Sequence, residues 1–306
     1  MLSLKIYSQS FSEAAELYNE GLDIINSDPE SAIEKFEKCL EMCSELGEET
    51  EQVRVNAEIQ LPIAYYKVAK RLYDDKNYEE AIKGFKKTAE VADEYGDTET
   101  KEKSENYIPR LYLMAGYNYY KAGNMETAIS NYDNAIKADA SYGSAYYYKS
   151  MALLKEKKYI LAIDELKKTV ENSKDDTKTA DKAKEKLSQV YSVLGSDELG
   201  KKNYEKAVEH YNNAIKYDPK SSKAYFQLAA AYNNTSAYDD AITAANKALE
   251  NSNGSAEDKA GIYFELGKAH KNKGEIEAAC EAYKNAQLGA YVENAKYQRE
   301  VILKCE

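Results

Sequence analysis

The sequence of 306 residues has no tryptophan, only two histidines and four cysteines, and no long apolar run. A membrane-spanning helix needs about 18 consecutive apolar residues, and no segment of this sequence approaches that length. We therefore expect no membrane span. Basic residues are outnumbered, with 42 Lys and Arg against 53 Asp and Glu, which gives a net charge of −11. This balance argues against a surface that follows nucleic-acid phosphates, so nucleic acid is not an expected partner.

The cysteines and histidines are not spaced like a metal site. Cys39 and Cys43 are four residues apart and therefore lie on one side of a predicted helix, but no histidine is near them in the sequence. Cys280 and Cys305 lie at the other end of the chain, and the four thiols are not spaced as in a small disulfide scaffold. We therefore expect all four to be small, buried, apolar side chains, and we expect no metal.

Motifs of catalysis and cofactor binding are also missing from the sequence. It has no glycine-rich phosphate loop after a strand, no cluster of His, Cys and Asp, and no serine in a nucleophile elbow. The sequence therefore predicts no catalytic residues and no cofactor, and it indicates that the protein is not an enzyme.

What the sequence does contain is a repeated segment. KNYEEAIKGFKK (76–87) returns as KNYEKAVEHYNNAI (202–215) and, in diverged form, as GEIEAACEAYKNAQ (274–287). The small residue that the copies share is at Ala32, Ala81, Ala128, Ala162, Ala207, Ala241 and Ala279. Two of the intervals between these alanines are 34 residues, and the other four, 49, 47, 45 and 38, are longer by an insert. A 34-residue period with aromatic and small residues at fixed offsets indicates stacked pairs of helices.

Helical periodicity extends over residues 10–304, and no segment alternates like a strand. In the first helix of a unit an aromatic residue is followed by small or aliphatic residues three and four positions later and by a further residue of the same helix face seven positions later. Tyr225, Leu228, Ala229 and Tyr232 form one such set. These offsets place the four side chains on a single helix face, which must be covered by a neighbouring helix.

The chain resembles the tetratricopeptide repeat family, most clearly in YSVLGSDELGKKNYEKAVEHYNNAIKYDPKS (191–221), and the resemblance extends over roughly 60–288. It departs from the family pattern because tyrosine replaces tryptophan, because Lys149 and Ser150 replace an aliphatic–glycine pair, and because the closing proline is mostly missing. The resemblance implies an all-α fold, a right-handed α-solenoid (superhelix) of about seven antiparallel helix pairs. It also implies extended first helices in several pairs and a C-terminal capping helix.

The predicted units follow the repeated segments. They are a tail at 1–9, a diverged first repeat at 10–47, repeats at 48–96, 97–142, 143–174, 175–221, 222–257 and 258–289, and a capping helix at 290–306. The tail is interpreted as the remnant of an export signal or as an ordinary N-terminus. A cytoplasmic location is therefore the default expectation, and an exported or periplasmic one is the alternative.

Three charged inserts, at 48–60, 97–108 and 175–187, are rich in helix-favouring residues. They are predicted to extend the first helices that they precede, with Pro62 and Pro109 marking kinks or breaks. A disordered charged linker is the alternative interpretation.

The resemblance also implies a function. Arrays of this family hold an extended peptide or a partner's helix against a concave wall of first helices. The wall positions lie one and five residues after the packing aromatic and two before it, and the row continues one turn further. The candidate groove residues on this chain are Tyr66, Lys70, Arg110, Leu113, Tyr117, Tyr120, Tyr147, Met151, Phe226, Phe264 and Lys268. The fifth unit contributes Gln189, Ser192 and Ser196 at the same positions, and the sixth contributes Lys223.

The composition of this wall favours one kind of partner. The Lys/Asn/Arg set with which chaperone-binding members of the family clamp a carboxylate is missing, so a co-chaperone role is not expected. An aromatic wall suits apolar or aromatic side chains, and Lys70 and Arg110 suit a carboxylate. The sequence thus predicts a non-catalytic scaffold for protein or peptide partners. A small-ligand or glycan binder is the alternative, tyrosines that only pack between helices are a third possibility, and the oligomeric state is not predicted.

Overall fold

A computed structural model describes the backbone of residues 2–305 and the side chains of residues 11–305. Helices account for most of this part of the chain, which contains no strand. The chain divides into two compact units, Met1–Ser173 and Lys174–Glu306. The all-α class predicted from the sequence is confirmed. The side chains of the N-terminal tail (1–9) lie outside the described residues.

The first unit contains four helix pairs. Its helices are α1 (Leu2–Ile24), α2 (Pro29–Leu46), α3 (Glu51–Asp74), α4 (Tyr78–Glu94), α5 (Thr98–Ala122), α6 (Met125–Ala138), α7 (Gly143–Lys155) and α8 (Tyr159–Asn172), with a 3₁₀ turn at Gly47–Thr50. Each helix packs against the next one along the chain, and the first helices α1, α3, α5 and α7 also contact one another in order. The first helices therefore form one layer of this unit and the second helices form the other.

The second unit repeats the arrangement. Its helices are α9 (Thr177–Gly200), α10 (Tyr204–Tyr217), α11 (Ser222–Asn234), α12 (Tyr238–Glu250), α13 (Ala256–Lys273) and α14 (Ile276–Asn285). They are followed by a 3₁₀ turn at Gly289–Tyr291, by the short α15 (Val292–Lys296) and by a π-helical turn at Tyr297–Ile302. Here too, α9, α11 and α13 contact one another in order.

The charged inserts are helical, as predicted. They form the N-terminal parts of α3, α5 and α9, which are 24, 25 and 24 residues long, whereas α7 and α11 have 13 residues each. Asp97 and Asp176 cap the last two of these extensions by accepting hydrogen bonds from backbone amides three residues later. Of the kinks or breaks expected at Pro62 and Pro109, the breaks are absent. Both prolines are buried inside continuous helices, where their packing offsets the backbone hydrogen bond that each one removes.

The turn between the two helices of a repeat has the same type of backbone conformation in six repeats. One residue of the turn adopts a positive φ in every copy, and this residue is Lys76, Gly123, Lys157, Lys202, Ser236 or Gly274. Glycine adopts this left-handed conformation without steric cost, whereas lysine and serine do not. The repeats are therefore alike in backbone even where their turn residues differ.

The cysteine prediction holds at one end of the chain and is wrong at the other. Cys39 and Cys43 are free and buried, and burial raises the pKa of the Cys39 thiol to about 12, which keeps it protonated. Cys280 and Cys305, in contrast, form a disulfide with 5.8 Å between their Cα atoms. The spacing of 25 residues gave no sign of this pair, because only the folding back of the terminal segment brings the two cysteines together.

The unusual Lys149 of α7 is explained by its charged neighbours. Its Nζ lies 2.7 Å from Asp133 on α6 and 3.1 Å from Glu165 on α8, and Lys168 also contacts Glu165 at 3.2 Å. Burial by itself would lower the pKa of Lys149, but the hydrogen bonds to both carboxylates outweigh it and the pKa is raised. An ion-pair network thus replaces the apolar contact that the repeat pattern has at this position.

The C-terminal cap is only partly the amphipathic helix expected at 290–306. Ala295 is fully buried, but Val301 and Ile302 are 55% and 48% exposed. Both of these residues lie in the π-helical turn, whose i to i+5 hydrogen bonds rotate the following side chains away from the face that α15 buries.

Candidate functional site

Buried tyrosines on the second helices fix the positions of the first helices. Tyr132 of α6 and Tyr211 of α10 are fully buried, and each ring fills the space beside a glycine of the preceding helix. A Cβ added at Gly116 would lie 2.7 Å from the Tyr132 ring, and one at Gly195 would lie 2.8 Å from the Tyr211 ring. The two helices of each pair therefore cross closely at these glycines, because only a residue without a side chain leaves room for the ring.

Four tyrosines of α5 and α7 form an aromatic surface, which we define as Tyr117, Tyr120, Tyr147 and Tyr148. The rings of Tyr117 and Tyr120 are stacked with 6.3 Å between their centroids, and Tyr148 meets both Tyr117 and Tyr147 edge-on at 5.6 Å. Tyr117 is 41% exposed. Three of the predicted groove tyrosines are thus gathered in one place, with Tyr148 as a member that the sequence rule did not select.

Two lysines flank the aromatic surface. The Nζ of Lys121 lies 5.7 Å from the centroid of the Tyr117 ring, and that of Lys155 lies 5.0 Å from the centroid of the Tyr120 ring. These are cation–π distances, so the positive charges are held over the aromatic faces. Neither lysine is at one of the wall positions that the sequence rule selected.

Tyr66 has a different environment from that of the aromatic surface. Its ring packs edge-on against Phe85 at 5.6 Å and against Tyr107 at 6.2 Å. Burial, followed by a hydrogen bond with Tyr107, raises the pKa of Tyr66 to about 12. Because Tyr107 belongs to the extended part of α5, the insert itself covers the Tyr66 ring.

The predicted carboxylate-binding residues are also engaged locally. Lys70 forms an ion pair with Asp74 and lies 5.0 Å from the centroid of the Tyr73 ring. The guanidinium of Arg110 lies 6.0 Å from the same ring. The structure therefore brings Lys70 and Arg110 together around Tyr73, in a group separate from the aromatic surface.

The remaining groove candidates are partly covered. In the first unit, Leu113 packs against the interior around Tyr132, and Met151 is half-buried. In the second unit, Phe226 packs against the interior of its unit and Lys268 lies 3.7 Å from Glu265. Phe264 contacts Tyr283 and Tyr291, with ring centroids 5.6 and 5.4 Å away.

The second unit contains a polar hollow of about 530 Å³ between α9 and α11. Its polar lining includes Gln189, Ser192, Ser196, Lys223 and Gln227. The first four are wall positions that the repeat register identifies. Gln227 lies two residues after the packing aromatic, where that rule does not look, so sequence reasoning missed it.

A hydrogen-bonded chain crosses the floor of this hollow. The hydroxyl of Tyr211 lies 3.1 Å from the Ser196 hydroxyl and donates to Oε1 of Gln227 at 3.2 Å. Tyr132, the equivalent residue of the first unit, has a buried hydroxyl with no hydrogen-bond partner among the described residues. The tyrosine at this repeat position therefore has polar neighbours on its groove side in the second unit, whereas in the first unit its neighbour there is an aromatic ring, that of Tyr148.

The described part of the chain has no group of three or more His, Cys, Asp or Glu side chains that could hold a metal ion. None of the described helices is both long enough and apolar enough to cross a membrane. Both the aromatic surface and the hollow can bind parts of another protein. The aromatic surface can contact apolar or aromatic groups, and the hydroxyls and amides of the hollow can bond to a peptide backbone.

Comparisons with known proteins agree on one family. Sequence profiles described as tetratricopeptide repeat match residues 113–177, 193–256 and 260–287, which together are about half of the chain. The chain is 28% identical over 146 residues to Superkiller protein 3 of Schizosaccharomyces pombe, a match that covers 48% of this chain and 10% of that protein. It is 26% identical over 204 residues to the Hsp70-Hsp90 organizing protein of Triticum aestivum, covering 58% and 33%.

Among solved structures, the crystal structure of MamA protein is similar with 22% identity and a TM-score of 0.40. That match covers 62% of this chain and 93% of the MamA chain. The chain spans a third or less of the length of the two curated relatives.

Proposed function

The chain belongs to the tetratricopeptide repeat family, and from that premise we propose that it is a non-catalytic protein–protein interaction scaffold. It binds an extended peptide or a helix of a partner protein in an aromatic-rich groove of the first helices. Membership in the family supports the scaffold role, and the chemistry of the exposed wall residues supports the kind of partner.

The observation that carries this proposal is the aromatic surface of α5 and α7. Tyr117 keeps 41% of its surface exposed although apolar neighbours surround it, and its ring stacks on Tyr120. Clustered tyrosines supply a large contact area at a small cost in side-chain entropy, and they are enriched among the residues that dominate binding energies. The surface is therefore suited to apolar or aromatic side chains of a partner.

The flanking lysines add a preference for negative charge. Lys121 and Lys155 lie over the tyrosine rings, so an acidic residue beside an apolar anchor in the partner would meet a positive charge at either end of the surface. The partner segment that fits best combines an apolar or aromatic side chain with a nearby carboxylate. Lys70 and Arg110 provide a second pair of cations for a longer segment.

The experiment is a peptide-library screen followed by affinity measurements with variants of the full chain. The test variant replaces Tyr117, Tyr120 and Tyr147 by alanine and leaves the packed Tyr66 in place. Truncating one true anchor costs about 2 kcal/mol or more, so this variant should lose measurable binding. Its helical content in circular dichroism should stay that of the parent.

A matched control comes from the other layer of helices. Ile160 of α8 is 64% exposed and apolar, so Ile160→Ala removes exposed apolar surface away from the groove and should leave the affinity unchanged. If the triple variant bound the selected peptides as tightly as the parent, the proposal would be wrong. A parallel glycan screen by thermal shift tests the alternative ligand class, because a bound ligand raises the melting temperature by mass action.

A further inference from the structure

The terminal segment 288–305 folds back onto α13 and α14, and it covers two of the three wall positions of the last repeat, Gly261 and Phe264. The ring of Tyr291 lies over Gly261, where an added Cβ would be 2.9 Å from the tyrosine hydroxyl oxygen. The same ring contacts Phe264 at a centroid distance of 5.4 Å. Gly261 and Phe264 are groove positions in the repeat register. The chain itself therefore fills the place that a ligand would take on α13.

Further contacts follow the same path along α13. Nζ of Lys271 donates a hydrogen bond to Gln298 at 2.8 Å, and Gly289 lies so close to Glu257 that a Cβ there would be 2.7 Å from the carboxylate. The segment thus contacts α13 near both ends of that helix, while its helical part, residues 292–302, packs against α14.

The noncovalent contacts of this segment combine half-exposed side chains with a small buried cluster. α15 and the π-helical turn that continues it have five and six residues, and a helix of this length is marginal by itself. Tyr297, Val301 and Ile302 are all about half-exposed, so they contribute little buried apolar area. Ala295, in contrast, is fully buried against Ala279 and Tyr283 of α14, and Leu303 packs against the same cluster. The disulfide between Cys280 and Cys305 adds a covalent restraint to these contacts.

The disulfide is accessible to a reductant. Cys280 and Cys305 line an open hollow of about 420 Å³, together with three cations, Lys284, Arg299 and Lys304, and two carboxylates, Glu277 and Glu281. The cations outnumber the carboxylates, and nearby positive charge stabilises the thiolate that leaves when a disulfide is attacked. Cys39 and Cys43, in contrast, are fully buried.

We propose that residues 288–298 are an internal ligand of the groove on α13, and that reduction of the Cys280–Cys305 disulfide by an external thiol releases them. A partner peptide with an aromatic side chain then takes the place of Tyr291. This inference rests on the proposed peptide-binding function and adds redox control of one part of the groove.

The chemical step is thiol–disulfide exchange. The thiolate of a small thiol or of a dithiol protein forms a bond to one cysteine sulfur, the Sγ–Sγ bond breaks, and the other cysteine leaves as a thiolate. A second thiol resolves the mixed disulfide, so the protein gains two thiols and the reductant becomes a disulfide.

The first test uses the missing tryptophan, since Tyr291→Trp introduces the only one in the full chain. In the oxidised protein its fluorescence should be blue-shifted and protected from iodide quenching, and a phosphine reductant should shift it to the red. Tyr297→Trp is the matched control in the same segment, because Tyr297 is 53% exposed and its emission should be red in both states.

A second variant and a second measurement keep the test decisive. Cys280→Ser with Cys305→Ser, in the Tyr291→Trp background, should show the red-shifted emission without any reductant. Amide exchange of 288–303 in the unmodified protein should accelerate on reduction. Unchanged emission and unchanged exchange would overturn the proposal and leave the disulfide as a redundant brace.

The ligand step is tested with a labelled synthetic peptide of residues 287–299, QLGAYVENAKYQR. It should bind reduced full-length Tyr291→Ala at least about tenfold more tightly than the oxidised form of the same variant, since the tethered segment no longer holds the site. A peptide with alanine at the tyrosine of position 291 should not bind. Release of the segment without any peptide binding would refute the internal-ligand assignment. The proposed function is judged separately, on Tyr117, Tyr120 and Tyr147.

Discussion

Two tyrosines at the same repeat position provide a matched pair of hydroxyl deletions. Tyr132 and Tyr211 are both fully buried, and both rings pack against a glycine of the preceding helix. They differ at the hydroxyl, because that of Tyr211 bonds to Ser196 and Gln227, whereas that of Tyr132 has no partner among the described residues. Replacing each by phenylalanine keeps the ring and removes only the oxygen.

We expect opposite signs for the two substitutions. Tyr211→Phe removes two hydrogen bonds, each worth about 0.5–1.5 kcal/mol net, but Ser196 is exposed and can bond to water, so the loss should be about 1 kcal/mol. Tyr132→Phe removes a buried polar atom whose desolvation costs about 1–3 kcal/mol, so this variant should be more stable than the parent by about 1 kcal/mol or more.

Native-state amide exchange in α6 and α10 is the appropriate assay, because arrays of repeats open locally and a single melting temperature averages over the units. The slowest amides of α6 should exchange more slowly in Tyr132→Phe, and those of α10 faster in Tyr211→Phe. If Tyr132→Phe were as destabilising as Tyr211→Phe, the reasoning would be refuted, since the Tyr132 hydroxyl would then have to bond to a trapped water.

Three other predictions concern packing, charge and pH. Gly116→Ala should lower the free energy of unfolding in urea by about 1–3 kcal/mol, because the added Cβ meets a buried ring. Gly200→Ala is the control: nothing lies within 4 Å of its Cβ, so it should raise the free energy of unfolding by about 0.5–1 kcal/mol. Equal effects of the two substitutions would contradict the helix crossing at Gly116. Lys149→Leu should lower the free energy of unfolding by about 2 kcal/mol, because Glu165 keeps a buried charge. The double variant Lys149→Leu with Glu165→Leu should recover most of this stability. A double variant as unstable as the single one would show that the ion-pair network is not the cause. Burial, followed by the hydrogen bond with Tyr107, raises the pKa of Tyr66 from 10.0 to about 12, so the folded state holds this proton more tightly. The resulting stabilisation should be complete below pH 10 and lost as the pH rises through 12. In Tyr107→Ala the pKa of Tyr66 should fall toward its ordinary value, which a site-resolved NMR titration of labelled tyrosine measures; an unchanged pKa would contradict the role of Tyr107.

Much of the fold could be predicted because its determinants are local. The repeated alanines and glycines mark positions where two helices come close, and a small residue at such a crossing is visible in the sequence itself. Gly116 and Gly195 are two such positions in the structure. The inserts were also predictable, since helix-favouring composition and acidic caps act within one helix.

The site was less predictable because exposure depends on what a neighbouring helix contributes. Tyr66 and Tyr117 are both wall positions of the repeat register, but Tyr107, from the extension of α5, packs against Tyr66, whereas Tyr117 remains exposed. The disulfide of Cys280 and the covering of Phe264 depend on the return of the terminal segment, which the periodicity does not describe.

The turns inside the repeats have a consequence for how this array could be engineered. Four of the six turns hold Lys76, Lys157, Lys202 or Ser236 in the left-handed conformation, and each of these costs roughly 1 kcal/mol relative to glycine. None of the four is a candidate groove residue. Glycine at any one of these positions would stabilise a single repeat, and the residue now present leaves that repeat less stable. An engineer could therefore set a gradient of stability along the helices of each unit while leaving recognition unchanged.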